Sequence, residues 1–248
     1  MARPIVEASP QAYARIGGAL YLIIIVAGIL GELFIRGRII VTGDAAATAH
    51  NIMASQSLWR VGIAGDLVMH VCDVPLMLIF YVLLRPVNKN LALLVVLFNL
   101  IQTAVMVANE IVLLVPLFLL GGAEYLKSVD PHQLQALAYV SLKVFDYGFG
   151  VGLIFFGFEC ITLGYLIFRS GYLPRILGVL MPLAGLSYLT NSFALLLAPA
   201  LAAKLLPAIL LPAFVAETSL CLWLLVKGVN VPRWRERVTL LHKPLYSA

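Results

Sequence analysis

The chain has 248 residues, 62% hydrophobic and only 12% charged, with a mean hydropathy of +1.00. A surface that apolar cannot be solvated at this size, which excludes a soluble domain and points to an all-α, polytopic membrane bundle. The net charge of +5 then reports which loops face an anionic leaflet; it is no signal for nucleic acid.

A membrane helix needs about 20 mostly apolar residues. Such runs lie near 17–36, 60–84, 91–120, 137–168, 174–200 and 206–226, predicting one integral membrane domain of six helices over residues 1–248. The first run lacks a small-residue cleavage site and is too long for the apolar core of a secretory signal, so it is expected to stay as an anchor. Its Gly17, Tyr21, Gly28 and Glu32 share one stripe. After it, Asp44 stands before an Ala-rich stretch, predicting a short capped helix near 44–55 on the outer face, a surface connector or a lid.

The second run carries Asp66, His70 and Asp73 at i, i+4 and i+7, a single stripe in a segment otherwise fit for lipid. The third presents Asn99, Gln102, Met106, Asn109 and Glu110 on one broad face. The fourth presents Lys143, Asp146, Tyr147 and Gly150, with Lys143 expected to pair with Asp146 or a neighbouring acid. Its GFGVG at 148–152 allows close approach of a second helix. The fifth offers Tyr188, Asn191 and Ser192, and the sixth Glu217 and Thr218. Cys72, Cys160 and Cys221 all lie in apolar runs without a CxxC pair and are expected as free thiols.

Lys and Arg set the orientation. Eleven of the seventeen fall at the N-terminus, in loops 85–90 and 169–175, and in the tail. Arg36, Arg38, Arg60, Lys127 and Lys204 fall on the other side, and Lys143 falls within a run. Both termini are therefore expected in the cytoplasm, with the protein in the inner (plasma) membrane.

Seven of the twelve acids fall inside the runs: Glu32, Asp66, Asp73, Glu110, Asp146, Glu159 and Glu217. An ionisable group in the bilayer costs several kcal/mol unless it is paired, neutralised or hydrated. They are therefore expected to turn inward. Counted along each run, most fall in the outer half of the bundle, and Glu159 stands apart, deeper and on another face. This predicts a pocket open toward the outer leaflet. Asp66, His70, Asp73, Glu110 and Glu217 are the candidate catalytic groups, and Glu32, Asn109, Lys143, Asp146, Tyr147, Tyr188 and Asn191 are candidate lining. The competing reading is that the same groups are interhelical glue, at about 0.6–2 kcal/mol per hydrogen bond.

Asp66 and His70 at i, i+4 could chelate one ion with Asp73 or Glu110 as further ligands, but His50, His132 and His242 lie in loops or the tail, and one histidine within the runs makes a thin case for a metal. No metal or other cofactor is expected. Acids crowded away from water read as proton carriers. That leaves two uses: acid–base catalysis on an apolar, lipid- or isoprenoid-like substrate, or proton-coupled transport or binding of a small molecule. A purely structural role is a third. Membrane lipids and an apolar small molecule are the expected partners. The absence of a visible repeat argues against a complete monomeric transporter, an objection that a homodimer would weaken.

The stretches ARIGGALYLIIIVAGILGELFIR (14–36), GDAAATAHNIMASQSLWRVGIAGDLVMHVCDVPL (43–76) and FYVLLRPVNKNLALLVVLFNLIQ (80–102) resemble a family of bacterial multi-pass membrane proteins catalogued only as a domain of unknown function. The D-x3-H-x2-D stripe and FYVLLRPV are the specific parts. The resemblance implies six helices and a bacterial inner membrane, and it brings no catalytic residues. The size and scattered acids are also similar to small membrane terpene cyclases, without a shared motif.

Overall fold

The computed structural model describes residues 9–241; the expectations that fall on Arg3, His242 and Lys243 lie outside the described residues. Among the described residues, six helices are long and apolar enough to cross a membrane. They are α1 (Pro10–Ile39), α3 (Gln56–Leu84), α4 (Lys89–Leu120), α5 (Pro131–Ser170), α6 (Arg175–Leu197) and α8 (Ala208–Val226). Three shorter helices lie at the ends: α2 (Ala45–Ala54), α7 (Pro199–Leu205) and α9 (Val231–Leu241). The protein is an all-α, multi-pass membrane bundle.

The six long helices form a closed ring. Each packs on its neighbour in the chain, and α8 closes the ring against α1. Apolar side chains cover the outside, among them Val71, Leu78, Leu100, Leu186 and Ile176, as lipid requires. Connections are short and capped. Asp44 accepts from the Ala47 N–H at the start of α2, Asn88 from Leu91 at the start of α4, and Asp130 from His132 and Gln133 at the start of α5.

The end holding the 85–88 and 171–174 turns and α9 is the basic end; the other is the far end. Two apolar clusters fill the interior near these ends. Toward the basic end, Leu83, Leu84, Leu166, Ile167, Leu177 and Leu224 close the ring beneath Tyr172 and Trp234. Toward the far end, Ile35, Ile39, Ile52, Trp59, Leu113 and Leu117 do the same. The Trp59 indole donates to the Leu113 carbonyl at 2.8 Å, where a 3-10 turn over Ile111–Leu114 interrupts α4. The polar groups lie between these clusters.

The tightest seam joins α5 and α6. Gly157 faces the Gly185 carbonyl and Gly164 the Gly178 carbonyl, so close that a Cβ at Gly185 would stand 2.4 Å from the Gly157 oxygen. Both pairs are spaced i, i+7 on antiparallel helices, and no side chain separates the backbones. GFGVG forms a lesser seam: Gly148 accommodates Asn109 and Gly152 accommodates Met106, both from α4.

Candidate functional site

A level of polar groups crosses the ring at mid-height. Tyr21 on α1, Asp73 on α3, Asn99 on α4, Glu159 on α5, Tyr188 on α6 and Glu217 on α8 each lie 9–13 residues from their helix's basic end. At 1.5 Å per residue that is roughly 14–20 Å, about half of a hydrocarbon core of ~30 Å. Every spanning helix contributes one group.

Within this level, Asp73 Oδ2 accepts from Thr103 Oγ1 at 2.8 Å and Asn99 Nδ2 at 3.0 Å. Gln102 lies on the expected α4 face, and Thr103, four residues after Asn99 on that face, joins it as a partner that the sequence analysis does not name. Across the ring, Tyr21 donates to Glu217 Oε2 at 3.1 Å and Tyr188 donates to Glu217 Oε1. Glu159 lies among Asp73, Asn99 and Glu217. It is 1% exposed, and its Oε2 has no hydrogen-bond partner. The surroundings of Asp73, Glu159 and Glu217 include no lysine or arginine among the described residues. Three buried carboxyls this close are costly to ionise together, because each isolated buried charge costs several kcal/mol unless it is paired.

A second group lies toward the far end. Arg36 donates from Nε to Glu32 Oε2 at 2.8 Å and from Nη1 to Asp66 Oδ2. The helix widens to a π turn over Leu30–Arg36, which lets Arg36 turn back into the bundle. Gly31 makes room for this pair, since a Cβ there would stand 2.8 Å from Asp66 Oδ1. One turn further in, His70 Nε2 stands 3.9 Å from Glu110 Oε1, too long for a direct hydrogen bond. Asp66 Oδ1, His70 Nε2 and Glu110 Oε2 are buried without hydrogen-bond partners. His70 is within electrostatic reach of both Glu110 and Asp73, so the groups form a ladder from exposed Glu32 through Arg36, Asp66 and Glu110 to His70 and, by way of Asp73, to the mid-height level.

The arrangement corrects the sequence reading in four respects. The acids do not share one pocket in the outer half; they stand in two levels joined through His70. Glu159 is not set apart; it stands in the middle of the inner level. Its depth, counted from the nearer turn, equals that of Asp73. Arg36, read as a loop charge, is buried against Asp66 and is the cation of the outer level. Its position four residues after Glu32, on the stripe of Tyr21 and Gly28, was the available signal. Finally, Lys143, Asp146 and Tyr147 do not line the interior. Lys143 and Asp146 pair at 3.1 Å with about half of each side chain exposed, and Tyr147 is 38% exposed. The reason is length: α5 has 40 residues, about 60 Å, so its first turns stand beyond a hydrocarbon core of ~30 Å.

Asn109 acts in packing, donating to the Phe145 carbonyl at 2.9 Å. Asn191 is buried with its Oδ1 unpartnered. Glu32 is at the ladder's exposed end, with 66% of its side chain accessible. Among the described residues no cluster of three His, Cys, Asp or Glu has metal-holding geometry. A cavity of about 430 Å3 lies at the far end between α2, the end of α4 and the start of α5, lined by His50, Met53, Leu119, Leu126, Lys127 and Leu134. None of the candidate acids lines it.

The family described as a domain of unknown function (DUF4386) matches residues 16–228. An uncharacterized protein of Archaeoglobus fulgidus is 29% identical over 166 residues, which cover 67% of this chain and 83% of the relative. No solved structure matches.

Proposed function

The chain belongs to the DUF4386 family, and since that description carries no activity, we propose from the geometry of the interior that the protein binds protons on buried acids at mid-membrane and couples them to transport or binding of a small molecule. The observation that carries this reading is the inner level: Asp73, Glu159 and Glu217 brought together by α3, α5 and α8, with Glu159 Oε2 unpartnered. Intramembrane ionisable groups are expensive, and a proton pathway is one of the few uses that explains several at once. The ladder through Arg36, Asp66, His70 and Glu110 supports an entry from the far end. Leu83, Leu84, Leu166 and Ile167 close the basic end, which supports a gated rather than open path.

The Lys and Arg bias supports placement in the inner (plasma) membrane with the basic end in the cytoplasm. A second reading, acid–base catalysis on an apolar lipid- or isoprenoid-like substrate, draws support from Glu217, a carboxyl gripped by two phenols in an apolar setting. It is the weaker of the two, because the cavity at the far end is lined by other residues.

The test is proton movement into vesicles that carry the purified protein and enclose a pH-sensitive dye, with a potential imposed across the membrane. Wild type is expected to acidify or alkalinise the lumen faster than protein-free vesicles, and Glu159→Gln is expected to abolish the difference. Equal rates in wild type and Glu159→Gln would contradict the reading.

A further inference from the structure

A basic surface at the opposite end of the bundle from the ladder's entry takes no part in the proton chemistry. Helix α9 reads VPRWRERVTLL. Its Trp234 is 4% exposed and donates to the Leu83 carbonyl at 3.0 Å. Val231 and Val238 pack on the same interior cluster. These positions lie at i, i+3 and i+7, so one stripe of α9 is bound to the bundle and the rest is left outward.

The outward side is arginine-rich and held in place. Arg233 Nη1 donates to the Gly171 carbonyl at 3.1 Å, and Arg237 Nη2 donates to the Arg169 carbonyl at 3.2 Å. Both therefore stand over the C-terminal end of α5, beside exposed Arg169 and Arg175. Arg175 is itself laid over the ring of Phe168 at 5.7 Å. Arg235 is exposed. In α9 and the 169–175 turn, Glu236 is the one acid. Exposed aromatics, Tyr165 and Phe168 on α5 and Trp223 on α8, ring the same end, as side chains do where hydrocarbon meets headgroups.

We propose that this surface, the arginines of α9 together with Arg169 and Arg175, is a binding site for the phosphate headgroups of anionic phospholipids. Charge selects the occupant: five guanidiniums on a rigid platform at headgroup depth match phosphate oxygens by paired donation. Position selects a lipid over free phosphate, because α9 lies across the bundle's end where acyl chains meet the aromatic collar.

The test is native mass spectrometry of the full chain released from nanodiscs of phosphatidylglycerol mixed with phosphatidylcholine. Arg175 and Arg235 are chosen because neither makes a side-chain hydrogen bond that docks α9. Wild type is expected to retain phosphatidylglycerol in preference to phosphatidylcholine. Arg175→Gln combined with Arg235→Gln is expected to lose retention by on the order of tenfold or more, as removal of two interfacial cations implies, with phosphatidylcholine unchanged. Arg175→Lys with Arg235→Lys is expected to fall between wild type and the glutamine variant, since lysine keeps the charge without the paired donation. Inorganic phosphate added in excess is expected not to displace the lipid. Equal retention of the two lipids by wild type, undiminished phosphatidylglycerol in the glutamine variant with its melting temperature intact, or displacement by phosphate would each overturn the proposal.

Discussion

Arg36 is the residue whose placement changes most of the chemistry. As the cation shared by Glu32 and Asp66, it pairs the acids at the entry of the ladder. Removing it strands Asp66, which is 2% exposed, as an uncompensated buried carboxylate. Arg36→Ala is expected to destabilise the protein by about 3–5 kcal/mol, read as a fall in melting temperature in detergent. Arg36→Met combined with Asp66→Leu removes both charges and is expected to recover most of that loss. A double variant as unstable as the single one would mean that the pair does not account for the cost. The inward placement of Asp66, His70 and Asp73 was legible, because a stripe of ionisable groups in an apolar run is costly facing lipid, and all three are buried. Arg36 escaped because a charge near the end of an apolar run reads as a loop residue. Its four-residue spacing from Glu32 points inward, but the π turn over Leu30–Arg36 that carries it there is not announced by LGELFIR.

At the scale of elements, glycines decide how near the helices come and hence whether acids on different helices can share a level. The α5–α6 seam relies on Gly157, Gly164, Gly178 and Gly185 at direct backbone contact. Gly185→Ala is expected to lower the melting temperature, because its Cβ would overlap the Gly157 carbonyl and force the helices apart. Gly65→Ala, also within a helix but with nothing within 4 Å of the added Cβ, is expected to leave stability unchanged or raise it by up to about 1 kcal/mol. Equal effects from the two would show that backbone contact is not what the seam supplies. GFGVG was legible as a close-approach motif because its glycines are adjacent. The matched i, i+7 pairs on two different helices were not legible, since their meaning appears only once the helices are known to be antiparallel partners.

For the whole molecule, the number of spans followed from hydropathy alone, because lipid imposes one length and one composition on every crossing helix. The ring order did not follow, and without it depth could only be estimated. Measuring depth from approximate run boundaries spread the acids over the outer half. Once each helix end is set, Asp73, Glu159 and Glu217 fall level and Lys143 and Asp146 fall beyond the lipid. Orientation is checked separately. In a variant lacking Cys72, a cysteine at exposed Ala46 is expected to react with an impermeant maleimide from outside intact cells, and one at exposed Asn90 is expected not to react. The reverse pattern would invert the direction of the ladder.

The central claim is that the ring holds neutral acids at its centre, and infrared absorption of the purified protein in nanodiscs reads this most directly. At neutral pH the wild type is expected to show the C=O band of protonated carboxyl groups. The band should shrink in Glu159→Gln and in Glu217→Gln, yet stay the same in Asp146→Asn, whose carboxylate is solvated. A spectrum without that band at neutral pH, or a band untouched by substitution at Asp73, Glu159 and Glu217, would contradict the account.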